Sequence, residues 1–122
     1  TLAAVSYMAL EAANAAEALS REGIDVELID LRTVKPLDEE AILASIRKTG
    51  RLVVADGGWR SFGVAAEVAA IASEKAFDSL KAPIRRVTLP DCPAPASPSL
   101  EKAYYPSSED IASAVRQAVR AS

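Results

Sequence analysis

Hydrophobic residues follow two periodicities along the chain, and the two alternate. Short runs dense in β-branched and aliphatic residues predict four strands, at 2–6, 25–31, 52–55 and 84–88. Longer segments with helical spacing predict four helices, at 8–22, 39–48, 63–80 and 109–121. Parallel strands need crossover connections, which are right-handed and carry helices to both faces of a sheet. The order therefore predicts an α/β fold, a three-layer α/β/α arrangement around a mostly parallel sheet.

The ends of the predicted helices carry capping signals. Ser107 and Ser108 offer side-chain oxygens to the last helix, and Asp110 follows Ser107 by three residues. The apolar face of that helix consists of Ile111, Val115, Ala118 and Val119. The first helix is rich in alanine, which weakens its periodicity but allows close packing on a sheet. Gly23 and Gly50 are expected to end the first and second helices.

The segment IDLRTVKPLD at 29–38 leads from a buried strand through a charged turn into a helix. Pro36 excludes a continuing helix or a central strand, so the turn lies just before it. Asp38 is suited to cap the helix, because its carboxylate can accept hydrogen bonds from unpaired amides of the first turn. Leu37 is expected to pack on Ile42 as a hydrophobic staple.

Folding does not explain three polar residues of the same segment, Asp30, Arg32 and Thr33. They come at the carboxyl end of a predicted strand, where α/β sheets usually bind ligands. Since the chain offers them no catalytic partners, we expect them to face a neighbouring domain or subunit.

Composition removes several classes of function. The 14 basic and 17 acidic residues give a net charge of -3, so neither nucleic acid nor an anionic membrane is expected as a partner. The chain has no histidine, which excludes the common zinc sites and histidine acid–base schemes, and Cys92 has no second cysteine to pair with.

Chain length predicts the number of domains, and targeting signals predict the location of the protein. Its 122 residues correspond to one domain, 1–122. Neither a secretory signal nor an apolar run long enough to span a bilayer is visible, which indicates a cytoplasmic location. Because the sequence starts with Thr1 and enters an apolar run at once, we expect it to be a fragment of a longer protein.

The glycine-rich segment at 56–63 follows a predicted strand and opens a helix. Glycines in that position can bind phosphate, but both the dinucleotide-binding spacing and the Walker lysine are absent, so a tight structural turn is the favoured interpretation. The segment also contains Trp59 and Phe62. These aromatic residues either cover the core of their own domain or contact another domain or subunit, and the sequence leaves both alternatives open.

Two further groups have ordinary structural explanations. The basic residues are expected to be solvated or ion-paired rather than to form one binding patch; they are Arg47, Lys48, Arg51, Arg85 and Arg86. In the proline-rich segment near Cys92, that thiol lacks a histidine base, and Asp91 would raise its pKa. Tyr104 and Tyr105 are expected to hold this segment against the domain or a neighbour.

Seven short motifs occur in an order that resembles one protein family. They are IDLRTVKPLD at 29–38, TGRLVV at 49–54, DGGW at 56–59, FG at 62–63, AP at 82–83, RVT at 86–88 and PDCP at 90–93. This set is similar to the carboxyl-terminal domain of the beta subunit of thiamine diphosphate-dependent 2-oxo acid dehydrogenases. The pyruvate, acetoin and branched-chain enzymes belong to that family, and transketolase is a more distant relative.

The resemblance implies a transketolase carboxyl-terminal-like fold, with one antiparallel strand that would here precede Thr1. It also implies a heterotetramer with an alpha subunit and a second beta subunit. In the full enzyme, thiamine diphosphate and magnesium lie between other domains, so this domain is expected to hold no catalytic, cofactor-binding or metal-binding residues. Its expected contribution is subunit contact and docking of the lipoyl acyltransferase core.

One departure from the family's pattern concerns that docking. Pyruvate dehydrogenase-type members carry an acidic residue directly before the Ala-Pro pair, whereas this chain has Lys81. A lysine repels a basic docking module, and Asp78 is a nearby acidic residue that could compensate.

Two rival functions remain open at this stage. The chain could be the carboxyl-terminal domain of a transketolase or deoxyxylulose-phosphate synthase relative, or a free-standing small α/β binding module. The first rival carries both cofactor domains in one chain. The second predicts a complete monomer without a broad apolar patch.

Overall fold

The computed structural model describes residues 1–5, 8–32, 37–59, 62–89 and 106–121, with only the backbone of Trp59. Four strands lie in this part of the chain: β1 (Leu2–Val5), β2 (Leu28–Leu31), β3 (Val53–Trp59) and β4 (Arg85–Leu89). The helices are α1 (Met8–Ser20), α2 (Glu39–Thr49), α3 (Val64–Lys75) and α4 (Ser108–Arg120), with a 3-10 turn at Phe77–Ser79.

The strands form one sheet in the order β2-β1-β3-β4, and every pair is parallel. Leu2 at the start of β1 pairs with Leu28 on one side and with Val53 on the other. The predicted α/β class and mostly parallel sheet are therefore confirmed. The antiparallel strand expected ahead of Thr1 concerns residues outside this sequence and stays a prediction.

Two buried clusters, one on each face of the sheet, form the core. Helices α1 and α4 cover the first face, where Leu2, Met8, Leu19 and Ile111 are almost fully buried. Helices α2 and α3 cover the second face with a similar cluster, which includes Ile42, Ile46, Leu52, Val54 and Val68. Alternate residues of a strand point to opposite faces, so the two central strands β1 and β3 each supply both clusters. None of the helices in the described ranges is long and apolar enough to cross a membrane.

Most of the predicted helix ends are confirmed. The Asp38 carboxylate accepts a hydrogen bond from the Ala41 amide at 3.2 Å, and Leu37 packs against the cluster that contains Ile42. Gly50 ends α2 in the left-handed conformation (φ 76°), and its amide donates to the Ile46 carbonyl at 2.7 Å. The capping box at Ser107 and Asp110 is complete.

Three element boundaries differ from the prediction by three residues or more. Strand β2 begins at Leu28 rather than at residue 25, because only its last four residues pair with β1. Strand β3 continues beyond residue 55 to Trp59, and its register against β4 shifts after Ala55. Helix α3 ends at Lys75, and the 3-10 turn follows where aspartate and serine favour turns over helix.

Candidate functional site

The carboxyl ends of the four strands define one edge of the sheet, here called the carboxyl edge. In parallel α/β sheets this is the edge where ligands and partners usually bind. The described residues there include Arg32 after β2 and residues 56–59 at the end of β3. Since β1 separates β2 from β3, these two groups lie about 10 Å apart across the sheet.

Asp56 is a buried polar side chain at this edge that is hydrogen-bonded to two backbone amides. It is 5% exposed, and its carboxylate accepts hydrogen bonds from the amides of Gly58 at 3.0 Å and Ala65 at 3.1 Å. Ala65 belongs to the first turn of α3, whose N-cap residue Gly63 has no side chain to cap it. Asp56 therefore caps α3 from the preceding strand and ties both ends of the intervening loop together.

Gly58 packs closely against the Asp56 carboxylate. A Cβ atom at that position would lie 3.2 Å from one Asp56 carboxylate oxygen and 3.4 Å from the other. A helix N-terminus commonly binds anions, but here the chain's own carboxylate already occupies that position. This geometry supports the prediction of a structural turn over that of a phosphate site.

Phe62 projects from the same loop into solvent. Its side chain is 102% exposed and its φ of 63° lies in the left-handed region, which non-glycine residues rarely adopt. The predicted alternative in which Phe62 covers the core of its own domain is therefore wrong, because the loop backbone turns the ring outward. For Trp59 the same question stays open, since its side chain lies outside the described part.

Leu10 is an exposed apolar residue that the sequence analysis missed. It lies in the first turns of α1, which follows β1, and is 69% exposed. The buried face of α1 consists of Met8, Ala12, Ala15 and Leu19. A helical projection places Leu10 opposite that face, so the spacing alone could have revealed it.

The charged residues predicted at this edge pair with each other. Arg32 Nε lies 3.3 Å from Asp30 Oδ2, and their side chains are 86% and 39% exposed. Such an exposed pair contributes little to stability, about 0–1 kcal/mol. Thr33, the third predicted residue, lies outside the described ranges, as do Tyr104 and Tyr105.

The predicted docking residues lie at the opposite edge, where the strands begin. The Lys81 amide donates to the Gly50 carbonyl at 2.7 Å, which places Lys81 beside the end of α2. Asp78 is exposed in the 3-10 turn, next to Phe77, which is 71% exposed. Those predicted site residues that the structure describes therefore divide between the two edges of the sheet rather than forming one site.

Among the five basic residues, Lys48 and Arg51 illustrate the ordinary pairing that was predicted. Lys48 Nζ lies 2.7 Å from Glu27, and this hydrogen bond lowers the pKa of Glu27. Arg51 donates from Nε to the Ala118 carbonyl at 2.9 Å, which holds the end of α4 against the sheet. By contrast, Nε of Arg85 is buried and has no hydrogen-bond partner within the described residues.

A cavity of about 250 Å³ also opens at the edge where the strands begin. Apolar side chains of the α1–α4 face form most of its wall, including Leu2, Ile24, Val26, Val53 and Val115. Asp25 and Arg51 are the charged residues of its lining. Within the described ranges, no group of three or more cysteine, aspartate or glutamate side chains could hold a metal ion.

The fold and this site define a doubly wound α/β domain that presents an exposed phenyl ring and a charged pair at its carboxyl edge. The chain belongs to the family described as transketolase, C-terminal domain, whose model matches residues 1–111.

Curated proteins with similar sequences indicate which members of this family the chain resembles. The chain is 44% identical over 117 residues to the pyruvate dehydrogenase E1 component subunit beta of Rickettsia felis, covering 96% of this chain and 36% of the relative. It is 43% identical over 113 residues to the acetoin:2,6-dichlorophenolindophenol oxidoreductase subunit beta of Bacillus subtilis, covering 93% of this chain and 33% of the relative. The chain thus spans about a third of the length of the curated relatives it matches.

A solved structure has the same fold. It is described as a split gene transketolase, inactive beta4 tetramer, and superposes with a TM-score of 0.81 at 28% identity. The match covers 98% of this chain and 39% of that chain. The predicted resemblance to the beta subunits of the pyruvate and acetoin enzymes is confirmed by these likenesses.

Proposed function

We propose that this chain is the carboxyl-terminal assembly domain of the beta subunit of a thiamine diphosphate-dependent 2-oxo acid dehydrogenase. The observation that carries the proposal is the 44% identity, over 96% of the chain, to a pyruvate dehydrogenase beta subunit. The full enzyme would decarboxylate a 2-oxo acid oxidatively and transfer the acyl group to a lipoyl group. The domain itself would supply contacts rather than chemistry.

The described side chains support a role for this domain in subunit contact rather than in catalysis. The chain contains no histidine, and the buried carboxylate at the carboxyl edge, Asp56, accepts hydrogen bonds from two backbone amides. The residues that remain accessible there are an exposed phenyl ring and an exposed ion pair. Aromatic residues and paired charges are typical of protein–protein interfaces.

The cofactor belongs to the rest of the enzyme in this proposal. Thiamine diphosphate, with magnesium, would lie between other domains of the alpha and beta subunits and would serve as the electron sink for decarboxylation. In the described residues, the N-terminus of α3, which follows the glycine-rich turn, is capped by the Asp56 carboxylate, which takes the place that a phosphate would occupy.

The proposed partners are the upstream domain of the same chain, an alpha subunit and a second beta subunit. A related solved chain assembles as a tetramer of beta chains, which supports contact between beta subunits. Docking of the lipoyl acyltransferase core is proposed for the surface around Asp78 and Lys81, at the other edge of the sheet. The predicted cytoplasmic location also belongs to this proposal.

The test uses the full-length beta chain co-expressed with the alpha subunit. We expect reduction of 2,6-dichlorophenolindophenol with a 2-oxo acid or acetoin as substrate, and we expect it to require thiamine diphosphate and magnesium. Thiamine diphosphate titrated into the folded domain alone should not bind. Tight binding to the isolated domain would contradict the assignment of the cofactor to other domains.

A transketolase relative remains the second candidate, because the solved neighbour is a split transketolase. Its lower identity, 28% against 44%, makes it the less favoured of the two. Ketol transfer between sugar phosphates, without oxidation of a 2-oxo acid, would identify it. The free-standing binding module is less favoured because the chain is 44% identical, over 96% of its length, to part of a pyruvate dehydrogenase beta subunit.

A further inference from the structure

The cavity at the edge where the strands begin, here called the amino-edge cavity, has a definite occupant in the full-length beta subunit. We infer that the side chain of the residue directly before Thr1 fills it, and that this residue is large and apolar. This inference rests on the proposed function, in which an upstream domain of the same chain precedes this one. It names a contact through which the upstream part of the chain is anchored on this domain.

Three backbone hydrogen bonds hold the beginning of β1 in the sheet. The Thr1 nitrogen donates to the Arg51 carbonyl at 2.9 Å, and the Val53 amide donates to the Thr1 carbonyl at the same distance. On the other side, the Leu2 amide donates to the Glu27 carbonyl at 2.9 Å. Thr1 therefore already has the extended pairing of a strand residue, and a residue joined to its nitrogen continues in the same direction.

The alternation of side chains along β1 gives the direction of the preceding side chain. The Thr1 hydroxyl lies 2.7 Å from the Thr49 hydroxyl in α2, so Thr1 points to the face covered by α2 and α3. Leu2 belongs to the buried cluster beneath α1 and α4. Because successive strand residues point to opposite faces, the residue before Thr1 points to the same face as Leu2. The amino-edge cavity lies on that face, and Leu2 forms part of its wall.

The size and lining of the cavity fit a large apolar side chain. Its volume is about 250 Å³, whereas an apolar cavity of about 150 Å³ already accommodates benzene. Val119 lines it and is 43% exposed, so an apolar occupant would remove that side chain from water. The charged residues of the lining do not call for a polar occupant, because Asp25 is exposed and Arg51 donates to a carbonyl group of α4.

Arg51 holds one wall of the cavity in place. Its Nε donates to the Ala118 carbonyl at 2.9 Å, and Nη2 donates to the Ala121 carbonyl at 3.5 Å, which fixes the end of α4 against the sheet. An empty apolar space of this size is unfavourable, because the atoms around it lose van der Waals contacts. A side chain from the adjoining residue restores those contacts at a low cost in entropy, since its backbone is already held by the sheet.

The full-length sequence provides the first check. We expect a large aliphatic or aromatic residue directly before Thr1. A charged residue or a glycine at that position would overturn the inference, because a charge is costly in an apolar cavity and a glycine leaves it empty.

Ala118→Leu tests whether the cavity is filled in the full-length beta chain assembled with the alpha subunit. Ala118 lines the cavity, whereas Ala112 of the same helix is equally buried, at 2% exposure, and does not line it. A larger side chain overpacks an occupied site, so Ala118→Leu and the control Ala112→Leu should both accelerate hydrogen exchange of the α4 amides at least about fivefold. If Ala118→Leu leaves exchange unchanged or slows it, the cavity is empty and the inference fails.

A disulfide cross-link identifies the occupant. A cysteine placed directly before Thr1 is combined with Val115→Cys or Ala118→Cys, which lie in the cavity wall, and with Ala112→Cys as the control. After mild oxidation, mass spectrometry should detect a disulfide with at least one of the first two and none with Ala112→Cys. If Ala118→Leu accelerates exchange but neither cross-link forms, another group fills the cavity and the inference is overturned.

Activity of the same preparation separates this inference from the proposed function. Oxidation of a 2-oxo acid by the wild type, dependent on thiamine diphosphate, tests the proposed function alone. An active enzyme without the cross-link overturns only the inference about the cavity. The cross-link in a protein without that activity supports the contact and contradicts the enzyme assignment.

Discussion

The side chain of Lys81 lies directly across Gly50, at the end of α2. A Cβ atom on Gly50 would lie 2.8 Å from Cδ of Lys81, and the Lys81 amide donates to the Gly50 carbonyl at 2.7 Å. Gly50, which ends α2, is therefore in contact with Lys81, which is proposed for docking. The contact was not visible in the sequence, where the two residues lie 31 positions apart.

Gly50→Ala should destabilise the domain by about 1–2 kcal/mol, because φ at this position is +76° and an alanine is strained there. Gly23→Ala is the control, since Gly23 has a similar φ of +82° but no atom within 4 Å of an added Cβ. Urea unfolding of both variants should show a larger loss for Gly50→Ala. Equal losses would mean that Lys81 moves aside without cost.

Lys81→Glu should strengthen binding of a basic subunit-binding domain to the assembled heterotetramer. An exposed ion pair contributes about 0.2–1 kcal/mol, so we expect a gain of up to about fivefold that decreases with added salt. Asp78→Lys should act in the opposite direction. Calorimetric titration measures both, and unchanged affinity in both variants would remove this surface from the docking proposal.

Ser107→Ala should destabilise the domain by about 1 kcal/mol through loss of the α4 cap. Ser107 accepts from the Asp110 amide at 3.3 Å, and the Ser107 amide donates to the Asp110 carboxylate at 2.8 Å. Asp110→Ala should therefore cost less in the Ser107→Ala background than in the wild type. Additive losses in chemical denaturation would show that the two hydrogen bonds act independently.

Glu22 should make the stability of the domain depend on pH in the acidic range. A hydrogen bond from Arg116, at 2.7 Å to Glu22 Oε2, together with the positive charge of Arg116, holds the pKa of Glu22 below its ordinary value. Because the folded state binds this proton less tightly, the contribution is fully present above the ordinary glutamate pKa. It is lost as the pH falls through the lower pKa of the folded state.

Glu22→Gln should accordingly lower the urea midpoint at pH 7 and flatten its decline between about pH 5 and pH 3. Arg116→Gln should flatten the same decline, since it removes the partner that lowers the pKa of Glu22. A wild-type slope that persists in both variants would assign the pH dependence to other carboxylates.

Sequence patterns predicted the ends of elements well wherever interactions between neighbouring residues determine them. The caps at Asp38 and Ser107 depend on residues within three positions of each other, and the stop at Gly50 depends on one residue. The predicted boundaries were less accurate where hydrogen-bond pairing between strands determines the end of an element. Strand β2 is shorter than its apolar run because β1 pairs with only four of its residues.

The site was harder to predict than the fold. Trp59 and Phe62 were identified as unusual, but the outward direction of Phe62 goes with a positive φ of 63°, which no local sequence pattern specifies. The cap from Asp56 to Ala65 spans nine residues and a loop, so no local motif reveals it. Leu10 could have been found from its helical position opposite the buried face of α1.

The sequence by itself determined the order of elements, the parallel three-layer class and the family. These follow from hydrophobic periodicity, capping residues and short motifs, each of which depends on residues close together in the chain. Only the tertiary structure decided which predicted site residues share an edge. The order β2-β1-β3-β4 puts Asp30, Arg32 and Phe62 on one edge and Asp78 and Lys81 on the other. The physical reason is that strand order results from packing between distant segments, which no short stretch of sequence encodes.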